Sequence, residues 1–171
     1  MKRFAIRPAT VSDIAVLSET VQQGFEGYRA FLPPGWDPPA EEFEHARISE
    51  RLALDDTWCR IAFDGDEPAG HVAFLAARDS SVASRPVIPG LAHLWMLFIR
   101  EPWWGSGLAA HLLALAVAEA TAAGYATMRL FTPAGQARAR RFYEREGFAW
   151  DGIVRPEPML GFDLVEYRRE L

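Results

Sequence analysis

Two glycines within three residues, Gly105 and Gly107, stand directly ahead of an alanine- and leucine-rich run in the stretch EPWWGSGLAAHLLALAVAEA. A glycine turn that opens a helix leaves backbone N–H groups unpaired at the positive end of the helix dipole. With no Cβ at either glycine, an anion as large as a pyrophosphate can approach the main chain closely. Holding a phosphate-bearing ligand is the chemistry this spacing offers; the plainer alternative is that the glycines only end a strand.

Two familiar phosphate folds fit poorly. A Walker P-loop needs Lys followed by Ser or Thr where this chain has Leu108 and Ala109. Gly105, Gly107 and Ala110 do spell G-x-G-x-x-A, but a dinucleotide fold also needs an acid at the end of the next strand, and that strand closes as RLFTPAG. Cys59 is the only cysteine, so neither an intrachain disulfide nor a cysteine metal site can form. His45 and His111 fall on helices with no metal-ligand spacing, and solvated or packing roles are expected for them.

A second block, QARARRFYEREGF, follows the glycine turn along the chain. Together the two blocks resemble the GNAT family of N-acetyltransferases, whose signature Q/R-x-x-G-x-G/A maps onto Trp104, Gly105, Ser106, Gly107, Leu108 and Ala109. The family's following Asn, Ala, Tyr and Gly-Phe map onto Gln136, Ala139, Tyr143, Gly147 and Phe148. The match is residue by residue from Leu91 to Gly152 and by element order elsewhere. Trp104 is the departure, since it replaces the family's Gln or Arg.

The resemblance implies an acyl-CoA co-substrate, most often acetyl-CoA, and direct attack of an amine on its thioester. Amides of Gly105 to Ala109 would hold the pyrophosphate, and backbone groups near Leu97 and Ile99 would pair with the pantetheine arm. One N–H there would polarise the thioester carbonyl, a contribution of about 2.7 to 4 kcal/mol in comparable sites. Tyr143 would protonate the departing thiolate, and Gln136, two turns earlier on the same helix face, would contact the cofactor. Arg140, with Arg138 and Arg141, falls near the adenosine end, with a solvated helix face as the alternative.

Amine attack requires the neutral form, which for a pKa of about 10 is roughly one molecule in a thousand at pH 7. His93 stands where the histone-acetylating branch of the family carries its catalytic glutamate, and an ordinary imidazole suits the role of base. The alternative is a polar strand residue bonded to a neighbour. His71 is a more distant candidate for a proton relay. Glu26, Tyr28, Phe31 and Trp36 fall in the family's variable region and are candidates for binding the acceptor, with Asp37 beside them; the aromatics could equally pin the loop to the sheet.

These groups need a scaffold, and the periodicities supply one. Phe4 and Ile6 mark a first strand; Thr10 to Phe25 reads as a helix with Thr10 and Asp13 as a capping box. Gly24 to Pro39 reads as an irregular loop, and Ala40 to Leu54 as a helix with Asp37 as N-cap. Two strands flank Asp64-Gly65, a long apolar strand spans Leu91 to Arg100, and a helix runs from about Gly105 to Ala123 with Gly124 after it. A strand at Tyr125 to Phe131, a helix with Pro133 near its start, and strands over Phe148 to Val154 and Leu160 to Leu171 complete the order β-α-α-β-β-β-α-β-α-β-β. The class is α/β in one domain over residues 1–171, and the resemblance implies a mixed, mostly antiparallel sheet flanked by helices.

The bulk properties bound the partners. With 171 residues, half of them apolar, the chain can bury a core of its own. A net charge of −5 argues against nucleic acid. The amino-terminal MKRFAIRPAT lacks a signal-peptide apolar region, and no run suits a membrane span, so a cytoplasmic protein is expected. The function expected is N-acetylation of a primary amine of a small molecule, with a homodimer open as an assembly. A peptide or protein acceptor, or a silent acyl-CoA sensor of the same fold, is the alternative.

Overall fold

Alternating and helical periodicities resolve into seven strands and four helices in the computed structural model, which describes residues 4–171. Strand β1 (Ala5–Pro8) is followed by α1 (Ile14–Glu26), α2 (Glu41–Leu52), β2 (Trp58–Asp64), β3 (Glu67–Arg78) and β4 (Val87–Ile99). Then come α3 (Leu108–Ala122), β5 (Thr127–Pro133), α4 (Ala137–Arg145), β6 (Ala149–Glu157) and β7 (Phe162–Glu170). The order matches the one read from the sequence. The sheet runs β1-β2-β3-β4-β5-β7-β6, with β1–β2, β5–β7 and β6–β7 antiparallel and β4–β5 parallel. A parallel pair needs a long crossover, and α3 supplies it.

The chain divides into two compact units, one comprising residues up to Ala73 with Met96–Leu113, the other Phe74–Trp95 with Ala114–Leu171. In the first, Leu17, Val21, Ile48, Ile61, Met96 and Leu112 form a fully buried core. Gly24 is required where α1 meets β4, because a Cβ there would come within 2.4 Å of the Phe98 ring. In the second, Met128, Leu130, Val165 and Tyr167 alternate inward from the paired strands β5 and β7. The β4–β5 ladder covers Leu91–Leu94 against Thr127–Leu130, while β4 itself runs on to Ile99.

Several boundaries differ from the sequence reading. The first helix begins as a 3-10 turn at Val11–Asp13, where the Asp13 carboxylate accepts the Thr10 N–H at 2.8 Å, and it continues through Glu26 into a second 3-10 turn, Gly27–Ala30. The supposed loop is therefore shorter at its start. Asp37 does not cap α2; Ala40 occupies that position without a side-chain bond, because Asp37 is paired with Arg29 at 3.1 Å. Strand β4 begins four residues before Leu91. Pro133 ends β5 opposite Leu164 instead of opening α4, since a proline can close a ladder whose N–H it does not need to donate to. Among the described residues, no helix is long and apolar enough to cross a membrane.

Candidate active site

The glycine turn belongs to the first unit. Gly105 and Gly107 hold φ of 77° and 87°, in the left-handed region where a side chain is strained, and nothing lies within 4 Å of where a Cβ would stand on either. The Leu108 N–H reaches the Ser106 hydroxyl at 3.3 Å, and that hydroxyl donates to the Trp103 carbonyl at 2.6 Å. The amides of Gly105, Gly107 and Ala109 have no acceptor among the described residues. Leu108 is buried and anchors the first turn of α3, while Ala109 is half-buried. Bare, inwardly unsatisfied amides at the start of a fifteen-residue helix form a cradle that suits a pyrophosphate.

Both tryptophans hold this turn in place. The Trp103 indole donates to the Asp64 carboxylate at 2.9 Å, and the Trp104 indole donates to the Ile99 carbonyl at 2.7 Å. Leu97 and Ile99, at the end of β4, are half-buried. Neither indole bond was legible beforehand, because both partners are set by where β4 and the β2–β3 hairpin end in space.

The candidate acceptor residues form a packed cluster in the same unit. The buried Tyr28 ring meets Phe25 at 5.4 Å, Phe31 at 5.3 Å and Trp36 at 6.4 Å, and Phe25 meets Phe98 at 6.2 Å. Burial, reinforced by Glu44, pushes the Tyr28 phenol well above its usual range, so it stays protonated. Glu26 and Asp37 do meet a cation, but it is the chain's own Arg29, at 2.7 and 3.1 Å. Arg29 also donates to the Trp36 carbonyl at 2.6 Å, closing the loop on itself. Glu44, which the sequence did not single out, is buried against Arg47.

Of the histidines, His71 is fully buried in the first unit beside Phe98, with ring centroids 5.8 Å apart and neither nitrogen hydrogen-bonded. Burial, with Arg100 adding to it, lowers its pKa to about 3. A histidine held in this way keeps one ring N–H and takes up no second proton at physiological pH. His93 lies in the second unit, half-buried on β4, in register with Arg129 and 5.6 Å from the Phe131 ring. His45 and His111 are exposed on α2 and α3.

Tyr143 is the buried residue of α4, 9% exposed, surrounded by Phe142, Phe148 and Tyr167 at 5.2, 5.9 and 6.3 Å. Gln136 caps α4, with its amide oxygen accepting the Thr132 hydroxyl at 3.3 Å. The Arg140 guanidinium is engaged within its own unit: it donates to the Tyr167 hydroxyl at 3.0 Å and the Ala134 carbonyl at 3.1 Å and stacks over Trp150 at 4.7 Å. Tyr167 in turn donates to Glu144 at 2.7 Å. Burial raises the Tyr167 phenol, against the lowering effect of Arg140 and with the Glu144 bond adding to it. This group was missed because its members come from α4 and β7, although the inward position of Tyr167 two residues from Val165 carried the signal.

The comparisons with known proteins agree with this geometry. Among solved structures, the chain resembles an acetyltransferase from Thermus thermophilus at 20% identity, covering 98% of this chain and 97% of that one, with a TM-score of 0.70. It resembles the PaiA N-acetyltransferase from Thermoplasma acidophilum in complex with coenzyme A at 16% identity over 99% of both chains, TM-score 0.68. A ribosomal-protein-alanine N-acetyltransferase from Brucella melitensis is 19% identical over 98% of this chain and 99% of that one, TM-score 0.73. At these identities the likeness concerns the fold. No curated protein matches the sequence. The model of the acetyltransferase (GNAT) family matches residues 21–148, about three quarters of the chain. With that match, the glycine cradle at the head of α3 and the shared fold, the chain belongs to the GNAT acetyltransferases, enzymes that use acetyl-CoA as co-substrate.

Proposed function

We propose that residues 1–171 act as one N-acetyltransferase domain that moves an acetyl group from acetyl-CoA to the primary amine of a small molecule by direct attack. The observation that carries this reading is the turn at Gly105 and Gly107, left-handed at both glycines, with free amides at the mouth of α3. Acetyl-CoA supplies an acyl group activated as a thioester. In the chain, the N–H groups of Gly105, Gly107 and Ala109 bind phosphate oxygens without help from charged side chains. Trp104, Ser106 and Leu108 shape the turn, and the main chain at Leu97 and Ile99 aligns the arm of the cofactor.

Presenting a neutral amine at pH 7 costs roughly 4 kcal/mol, and His93 is the group that accepts the proton the amine gives up as it attacks the thioester. The Tyr143 hydroxyl gives a proton to the leaving sulfur; a phenol keeps that proton at neutral pH. Gln136, whose amide oxygen accepts the Thr132 hydroxyl at 3.3 Å, is the side chain we assign to contact with the cofactor. The loop with Glu26, Tyr28, Phe31 and Trp36 forms a wall against which the acceptor is held, and its aromatic character suits an acceptor with an apolar body.

The test is release of free thiol from acetyl-CoA in the presence of polyamines, amino acids, aminoglycosides and peptides. Turnover with a small amine supports the reading. Turnover with peptides alone would move the acceptor to the protein class, the class named for the Brucella melitensis relative. Silence across the panel with acetyl-CoA still bound would count against a small amine acceptor.

A further inference from the structure

We propose that the acceptor is a small amino carboxylate such as a free amino acid, with Arg129 binding its carboxylate while its amine lies against His93. This rests on the reading of His93 as the group that receives the amine's proton, and every residue it uses belongs to the second unit. Strand pairing sets the arrangement. His93 is in register with Arg129, and Arg129 with Arg168, so the three side chains leave one face of the sheet in a single row. Met128 and Leu130, which alternate with Arg129, are buried on the opposite face. In the next row Phe131 is in register with Glu166. The centre of the Phe131 ring lies 5.6 Å from the His93 ring and 5.4 Å from the Arg129 guanidinium. A proton acceptor and a cation thus share one aromatic ring, a spacing that suits an amine and a carboxylate a few bonds apart.

The charges on this face do not cancel. Glu166, almost fully buried, accepts from Arg168 Nε at 2.6 Å and lies 3.4 Å from Arg155 Nη2, which also meets Asp151 at 2.5 Å. Arg129 is left without a carboxylate among the described residues: one N–H goes to the Arg78 carbonyl at 3.0 Å, and its shielded Nε has no acceptor. Asp79 acts on Arg129 electrostatically, but its carboxylate is held by the Ser81 amide and hydroxyl at 2.9 and 2.6 Å. Burial pulls the Arg129 pKa down; Glu166 opposes this, while Arg168 and Arg155 add to it. A half-buried cation set opposite another arginine costs stability unless an anion joins it. Arg155 contributes a second shielded donor, Nη1, also without an acceptor. A bound carboxylate supplies both the missing charge and the oxygens that a guanidinium fork takes. The same arginines repel a polyamine.

Thiol release from acetyl-CoA by the full-length protein tests this with matched acceptors: the common L-amino acids, the carboxamide of each, spermidine and short peptides. In the wild type the best free amino acid is expected to exceed its carboxamide by about 10- to 100-fold in kcat/KM, the scale of one charge-assisted bond. In Arg129→Gln that preference falls to about threefold or less, mainly through KM for the amino acid. Arg129→Lys, which keeps the charge without the fork, retains part of it.

Equal turnover of acid and carboxamide in the wild type, a preference that survives in Arg129→Gln, or turnover confined to spermidine would overturn the carboxylate site and leave transfer to a small amine standing. A uniform loss on every acceptor, together with a lower melting temperature, would make Arg129 a structural residue and overturn it as well. Turnover with peptides alone, or with no amine despite bound acetyl-CoA, would defeat the small-amine reading and this proposal with it.

Discussion

The glycine turn and helix α4 present their chemistry in opposite ways. At the turn the proposed donors are main-chain amides, and the side chains of Trp103, Trp104 and Ser106 bond within the protein. On α4 the groups on offer are side chains: Tyr143, the proposed acid, in its aromatic surround, and Arg140 and Glu144 on either side of the Tyr167 hydroxyl. A main-chain site can keep its function while its side chains change, and on the proposed reading a tryptophan can therefore stand where the family signature has Gln or Arg. A side-chain site has no such freedom.

The sharpest way to break this contrast is Tyr143→Phe. Removing one hydroxyl should lower turnover by about 10² to 10⁴-fold while acetyl-CoA affinity, measured by calorimetry, stays near wild type; unchanged turnover would remove Tyr143 from the chemistry. On the other side, Gly107→Val forces a β-branched residue into φ of 87°. Left-handed backbone costs a non-glycine residue about 1 to 2 kcal/mol, so the turn relaxes, its amides lose their aim, and acetyl-CoA binds about tenfold or more weakly. Wild-type affinity in that variant would mean that the donors are not these amides.

The histidines sharpen the contrast between a working group and a buried one. His93→Ala should lower turnover and flatten the acid side of the pH–rate profile, and a profile untouched by the substitution would point to another base. His71 should instead appear in stability. Its pKa is about 3 in the folded chain against about 6.5 unfolded, so between those values the unfolded state binds the extra proton and stability falls as the pH drops. The slope reaches at most about 1.4 kcal/mol per pH unit in that window; denaturant melts of wild type and His71→Phe at pH 7 and 5 measure it, and an identical pH response in both would show that His71 is not the group responsible.

The smallest effect expected is that of Ser106→Ala. It removes a side chain from the turn but leaves every candidate phosphate donor in the main chain. Acetyl-CoA affinity should change by about threefold or less, the scale of one partly exposed hydrogen bond. A large loss would show that side chains at the turn matter more than the backbone comparison allows.

The element order, the turn and the position of Tyr143 were readable in the chain because their signals are local: glycines at a helix mouth, apolar residues at helical or alternating spacing, a tyrosine seven residues after Gln136. Boundaries slipped where pairing extended an element, as at Pro133, which the ladder with Leu164 draws into β5. The candidate charges have partners within the chain that the sequence did not show. Glu26 and Asp37 had the look of an open cation site, yet Arg29 lies between them in sequence and closes on both. Arg140 had the look of a free phosphate ligand, yet it reaches Tyr167, 27 positions along the chain.

By itself, then, the sequence determined the class of fold and the family, because repeated short-range patterns specify helices, strands and the glycine cradle. Only the tertiary structure decided which polar side chains remain available for a ligand and which are consumed within the protein. His71 is buried without a hydrogen-bond partner, and the Trp104 indole is bound to the Ile99 carbonyl. Such outcomes depend on residues far apart in the chain arriving within a few ångströms, and strand pairing, not local propensity, brings them there.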